Sequence, residues 1–178
     1  MNEFEHNGRG LLVPVQDIIA SGRYDAQIIR AGEVIDEFSF DNLVVNEGLN
    51  SLLGVYMHAD TQINAWYMGV FEGNYTPVSS DTAASIASNS TESSAYTSST
   101  RPSFTPAAAS GQSITNSANR ATFTFNATKN IYGAFLISSA TVSGTTGVLF
   151  SAARFPALKP VQSGDQLLMT YTFSAASA

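Results

Sequence analysis

The sequence predicts a mainly β protein: an antiparallel β-sandwich, jelly-roll-like, of about eight strands with one short helix inserted near residues 46–57. Short apolar or alternating runs recur along the chain, parted by turns carrying Gly, Pro and Asn. Only one stretch, centred on Leu49-Asn50-Ser51-Leu52-Leu53, has clear helical spacing. Charged residues make up 12%, about half the ~25% of an ordinary globular chain, and Ser, Thr, Ala and Asn take their place.

The elements follow in order. Residues 1–22 read as an N-terminal arm, with Gly8 and Gly10 loosening it. Its apolar piece Leu11-Leu12-Val13-Pro14-Val15 is at best an edge strand, because Pro14 has no N–H to donate. Ile18 and Ile19 need burial, at a subunit interface or against their own domain. The sandwich domain spans 23–178. Tyr24, Ala26 and Ile28 alternate with Asp25, Gln27 and Ile29, Gly32-Glu33 turns, and Val34, Ile35, Phe38 and Phe40 return: a hairpin.

A helix over 46–57 places Leu49, Leu52, Leu53 and Tyr56 on one apolar face, with Asn42 or Asn46 as its cap. Gly48 and Gly54 each weaken it by up to ~1 kcal/mol relative to Ala, so tertiary packing must hold it, with a close backbone approach expected at Gly54. Trp66-Tyr67-Met68-Gly69-Val70-Phe71 is apolar on both faces and reads as a central strand. Residues 78–101 are a Ser/Thr-rich excursion, expected as a long exposed loop, with a helix over 81–88 capped by Asp81 as the alternative. Arg101-Pro102 through Pro106 is extended. Further strands are expected at 114–117, 121–126, 131–137, 148–154 and 167–173, the last entered through the turn Ser163-Gly164-Asp165-Gln166.

Charge and composition narrow the function. Residues 1–92 hold 13 acids and 3 bases, net −10; residues 93–178 hold 1 acid and 5 bases, net +4, which sums to −6. The simpler account is that the halves interleave and the field averages; the sharper one is an acidic face that docks on a basic neighbour. No phosphate-tracking basic patch stands out, so no direct nucleic-acid partner is expected. The absence of cysteine excludes disulfides, zinc-cysteine sites and thiol nucleophiles. The acidic start Met1-Asn2-Glu3-Phe4-Glu5-His6 predicts no secretory peptide, and no apolar run nears the ~20 residues of a membrane span.

Chemistry-bearing constellations are scarce. His6 and His58 are the only histidines, and His58 beside Asp60 reads as a surface residue at a helix end. Asp36 with Glu37, or Glu72 with Asp81, have the residue types to flank a glycosidic bond, but solvent-facing positions explain them as well. No Gly-x-Ser-x-Gly elbow occurs. No catalytic residue, metal ligand or cofactor site is assigned. Trp66 and Tyr132 fit a core better than a sugar-stacking platform, whereas Tyr75 and Tyr96 lie in loop-like sequence and suit an interface. Asp165 fits turn chemistry, pairing with Arg154 or Lys159.

The opening hairpin, Asn42-Leu43-Val44-Val45-Asn46-Glu47-Gly48-Leu49, Trp66-Tyr67-Met68-Gly69-Val70, the Thr100-Arg101-Pro102 bend, Ala121-Thr122-Phe123-Thr124-Phe125 and the Gly164-Asp165 turn come in an order that resembles structural proteins of tailed bacteriophages, in particular capsid cement (decoration) proteins. The resemblance spans roughly 23–178. It implies a jelly-roll protein made in the bacterial host cytoplasm and carried on the outer capsid surface of the virion. It also implies the major capsid protein as partner, and a second or third copy of the chain in a dimer or trimer. The candidate interface is Leu11, Leu12, Val13, Ile18 and Ile19 of the arm with Tyr75 and Tyr96. A head- or tail-fibre domain for carbohydrate receptors is the alternative, and a polysaccharide-degrading enzyme a third. The lack of long repeats and the scarcity of acids after Glu92 weigh against these two.

Overall fold

In the computed structural model the described residues are 4–6, 12–14 and 18–177, with side chains described from 18 onward. Ten strands build two five-stranded antiparallel sheets that face each other, so the fold is a β-sandwich. The first sheet runs β4 (Glu33–Asp41), β3 (Ile18–Arg30), β12 (Gln166–Ser177), β8 (Ser113–Thr115), with β9 (Ala121–Thr124) also pairing β12. The second runs β5 (Leu43–Val44), β11 (Leu149–Val161), β10 (Lys129–Ile137), β6 (Trp66–Phe71), β7 (Ser103–Phe104). β3–β4 and β10–β11 are hairpins within a sheet, while β4–β5, β7–β8, β9–β10 and β11–β12 cross between sheets.

Alternation explains the first sheet. Tyr24, Ala26 and Ile28 of β3 and Leu167, Met169 and Tyr171 of β12 are buried, with exposed or half-buried residues between them. The β3–β4 turn sits at Ala31-Gly32, one residue before the expected position. Both residues have positive φ (51° and 86°), which a two-residue hairpin turn demands and Gly adopts without penalty. Phe38 and Phe40 return to pack on Phe155, at 5.0 and 4.8 Å between ring centroids.

β6 is interior rather than central: the middle strand of its sheet is β10, and β6 lies between β10 and the two-residue edge strand β7. Met68 and Val70 join the core between the sheets; Phe71 points the other way into a second cluster with Phe135, Ile137, Leu149 and Ala152. That second cluster forces a correction at 78–101. Far from an exposed loop, the excursion covers it with Ala83 and Ile86, both buried. The helix there, α2, is only Ile86–Asn89, with Ser85 rather than Asp81 before it. The outer face of the second sheet is too apolar to meet water, so a third layer is drawn over it.

The helix α1 spans Asn46–Met57 as expected, but its anchoring differs. Val45 precedes it and no side chain caps it; Asn46 donates its N–H to the Ser79 carbonyl at 2.9 Å. Asn42 instead donates to the Tyr171 hydroxyl at 3.0 Å. Glu47 takes on the first-turn role: its carboxylate accepts the Ala83 and Leu149 N–H groups at 2.8 and 2.6 Å. Gly48 is the helix's only buried residue, seated on the Phe150 backbone where a Cβ would collide. The close backbone approach is thus at Gly48, while Gly54 faces the Asp60 carboxylate.

The arm boundary also moves. β3 begins at Ile18 and pairs with β12 from Ile18↔Ser177 onward, so residues 18–22 belong to the sheet because β12 extends far enough to partner them. Before it, β1 (Phe4–His6) and β2 (Leu12–Pro14) form a two-stranded antiparallel sheet with Phe4 opposite Pro14.

Candidate docking surface

Where α1 crosses the open end of the sandwich, a cleft of about 400 Å³ lies between the sheets. Leu52, Val55 and Tyr56 of α1 form one wall, Trp66 of β6 another, and Ile114 of β8 with Phe173 of β12 the third. Its aromatic floor is interlocked: Phe150 meets Trp66 edge-on at 5.5 Å and Phe173 edge-on at 5.1 Å. No charged side chain lines it among the described residues. Tyr171 lies at its base, where burial pushes the hydroxyl pKa up to about 12, with the Ser151 and Asn42 side chains acting the other way.

The apolar face of α1 continues outside this cleft into solvent. Leu53 and Met57, which do not line it, are 57% and 82% exposed, and Tyr56 of its wall is 84% exposed. The expected face Leu49, Leu52, Leu53, Tyr56 is therefore real as a pattern but largely uncovered. Gly48 anchors the helix by its first turn, while Leu52, Val55 and Tyr56 of the later turns line the cleft without being buried. Exposed apolar residues crowded on one helix mark an interaction surface more strongly than scattered ones.

The strand that leads into the domain reaches the same region. β4 stops pairing at Arg23, so Ile18–Gly22 and Phe173–Ser177 run on as a ribbon beyond it. Ladder positions opposite one another share a face, so Ile18, Ala20, Phe173 and Ala175 continue the inner face from the cleft outward. Ile18 is 81% exposed, and Ile19 is exposed on the opposite face.

The remaining candidates divide. Leu11 lies outside the described residues, and Leu12 and Val13 lie in β2, whose side chains are outside them too. Tyr75 is half-buried against the second cluster and donates its hydroxyl to Asp81 at 2.8 Å, pinning the start of the excursion. Burial, then the Asp81 contact, raises its pKa. Tyr96 is not an interface residue: it is 3% exposed, edge-on to Phe123 at 5.2 Å in the core. Its bridge to Phe125 draws it into the sandwich, and burial, reinforced by Glu92, raises its pKa. Ile18, α1 and the cleft thus converge; Tyr75 and Tyr96 sit elsewhere.

The acids are engaged structurally. Asp36 pairs with Lys159 and Glu72 with Lys129, each at 2.8 Å, and Asp81 holds the Val78 N–H at 2.9 Å. Asp165 accepts the Gln162 N–H as turn chemistry predicts, but its cation is Arg30 at 2.7 and 2.8 Å rather than Arg154 or Lys159. Those Arg30 bonds hold its pKa below the usual carboxylate range. Among the described residues no three of His, Asp and Glu gather as a metal site.

Sequence reasoning missed the exposed turns of α1 and the cleft below them. The apolar spacing of Leu52 to Met57 gave the face, but nothing local signals that no described segment covers it. No protein-family model matches this chain, and no curated protein matches it in sequence.

Proposed function

We propose that this chain is a bacteriophage virion structural protein, a cement protein on the outer capsid surface that bridges major capsid subunits. The observation that carries the reading is the uncovered apolar face of α1, Leu53, Tyr56 and Met57, on a closely packed three-layer β domain. A rigid body with an apolar grip suits a protein whose work is contact. The order of sequence phrases that resembles phage cement proteins supports the same reading, as does the low charge.

The mechanism is linkage. A domain that binds only adjoining capsid subunits stabilises the assembled shell by RT ln(1 + [L]/Kd), about 2.7 kcal/mol when free protein is 100-fold above Kd. Modest contacts suffice if one molecule or oligomer engages two sites, because the second contact is intramolecular. The shell then resists the outward pressure of packaged DNA.

The test is copy number in purified particles by quantitative mass spectrometry against the major capsid protein. Numbers comparable to the capsid protein support cementing. A few copies per particle would move the chain to a fibre or vertex, and absence from the particle would overturn the reading.

A further inference from the structure

We propose that the free edge of β3 at Ile18–Ala20 joins two copies of this chain, strand to strand, about a twofold axis at Ile19. This inference does not depend on the capsid reading, since it concerns the free chain.

The edge follows from hydrogen-bond direction. Asn42 donates its N–H to the Gly22 carbonyl at 3.0 Å, so Gly22 turns its backbone groups toward the β4 side. These directions alternate along an antiparallel ladder, so Ala20 and Ile18 turn theirs the same way, while Ser21 and Ile19 face β12. β4 pairs no further than Arg23, and β1 and β2 pair only with each other. The N–H and C=O groups of Ile18 and Ala20 therefore meet no strand among the described residues.

The other long edges are guarded. β4 carries Glu33, Asp36, Glu37 and Asp41, with a register shift opposite Ile28 and Ile29. β11 is paired by β5 only at Ser151 and Ala152, and beyond them it carries Pro156 and Pro160. Charges, irregular register and prolines keep a strand edge from pairing with another chain. Ile18-Ile19-Ala20-Ser21-Gly22 has no charge and no proline, and Ile18 and Ile19 are 81% and 54% exposed.

A second copy fits this edge. An isologous contact needs a patch complementary to itself, and an uncharged segment reversed against itself sets no like charges opposite one another. Centring the axis on Ile19 brings both free positions into pairing. Ile18 then exchanges hydrogen bonds with Ala20 of the second copy, and Ala20 with its Ile18. A register centred on Ala20 is closed, because Asn42 already fills the place opposite Gly22. Ile19 meets Ile19 of the other copy as a non-hydrogen-bonded pair, with Cα atoms about 4.5 Å apart. The first sheet thus continues from one molecule into the next.

The test is the oligomeric state of the full chain by sedimentation over a concentration series. The parent is expected to form dimers that dissociate on dilution. Ala20→Pro deletes a donor that no bond to β12 uses, so it should weaken the dimer at least about ten-fold with an unchanged thermal melt. A parent that stays monomeric throughout, or a dimer untouched by Ala20→Pro, overturns the proposal. Cross-linking decides independently of any folding defect in that variant, because the chain lacks cysteine. Ile19→Cys should oxidise to a covalent dimer, since a separation of about 4.5 Å lies within disulfide reach. Leu53→Cys, similarly exposed on α1, should stay monomeric. Linkage through Leu53→Cys alone puts the contact on α1 and overturns edge pairing. Equal linkage at both positions reports collision only, and it overturns the proposal as surely as linkage at neither.

Discussion

Arg101 grips Glu92 through two parallel hydrogen bonds of 2.7 Å, with both side chains fully buried. Glu92 also accepts the Ser143 N–H at 2.7 Å, and Arg101 donates to the Ser139 carbonyl at 2.8 Å. The guanidinium lies 5.3 Å from the centre of the Phe135 ring. One ion pair thus fastens both ends of the excursion's second half to the β10–β11 connection and roofs the second apolar cluster.

Removing one partner leaves a charge stranded. Arg101→Met is expected to lose about 3–5 kcal/mol in urea unfolding, whereas Glu92→Leu/Arg101→Met loses clearly less, because no uncompensated charge remains. A double variant as unstable as the single one would show that packing at Arg101, not charge, is what matters.

The excursion's third-layer role rests on Ile86, which is fully buried. Ile86→Ala should lose about 2–5 kcal/mol, the cost of a cavity in a closed core. An exposed loop would give a change within about 0.5 kcal/mol, so thermal or urea melts separate the two outcomes.

Asp165 ties acid stability to Arg30. Its pKa is lowered in the folded chain, so its contribution is complete above the unfolded carboxylate value of about 3.9 and is lost as pH falls through the lowered one. Unfolding free energies between about pH 6 and about pH 2 should decline less steeply in Asp165→Asn than in the parent, from a lower starting value. Parallel declines would exclude the Arg30–Asp165 pair as a source of acid sensitivity.

The outward turns of α1 give the sharpest separation of stability from function. Leu53→Ser/Met57→Ser changes exposed side chains, so stability should move by no more than about 0.5 kcal/mol per site. Under the cement reading, particle association in a co-sedimentation assay should fall at least about ten-fold, as loss of interface anchors predicts. Undiminished association would remove α1 from the docking surface.

Gly48 tests what holds α1 in place. Alanine gains up to ~1 kcal/mol in helix propensity, but its Cβ meets the Phe150 backbone, which cannot swing aside. Gly48→Ala should therefore be destabilising by about 1–2 kcal/mol in chemical unfolding, the reverse of the propensity effect.

Local pattern alone determined the longer strands, the hairpin and α1, but not the short strands β1, β5 and β7 or the extension of β3 back to Ile18. The alternation of Tyr24, Ala26 and Ile28 and the two-faced run Trp66–Phe71 are direct imprints of pleat and burial, and the spacing of Leu49, Leu52 and Leu53 is that of a helix. Tertiary structure decided what covers what. A Ser/Thr-rich segment has no period of its own, so only the apolar outer face of β6 and β10 shows why Ala83 and Ile86 must lie on it. Tyr96 went to the core because a bridge to Phe125 carries it there, and Asp165 chose Arg30 over nearer basic residues because the β3–β12 pairing brings them together across 135 positions. Exposure of Leu53, Tyr56 and Met57 was equally invisible, since an apolar helix face reads the same whether its partner lies in the same chain or in another molecule.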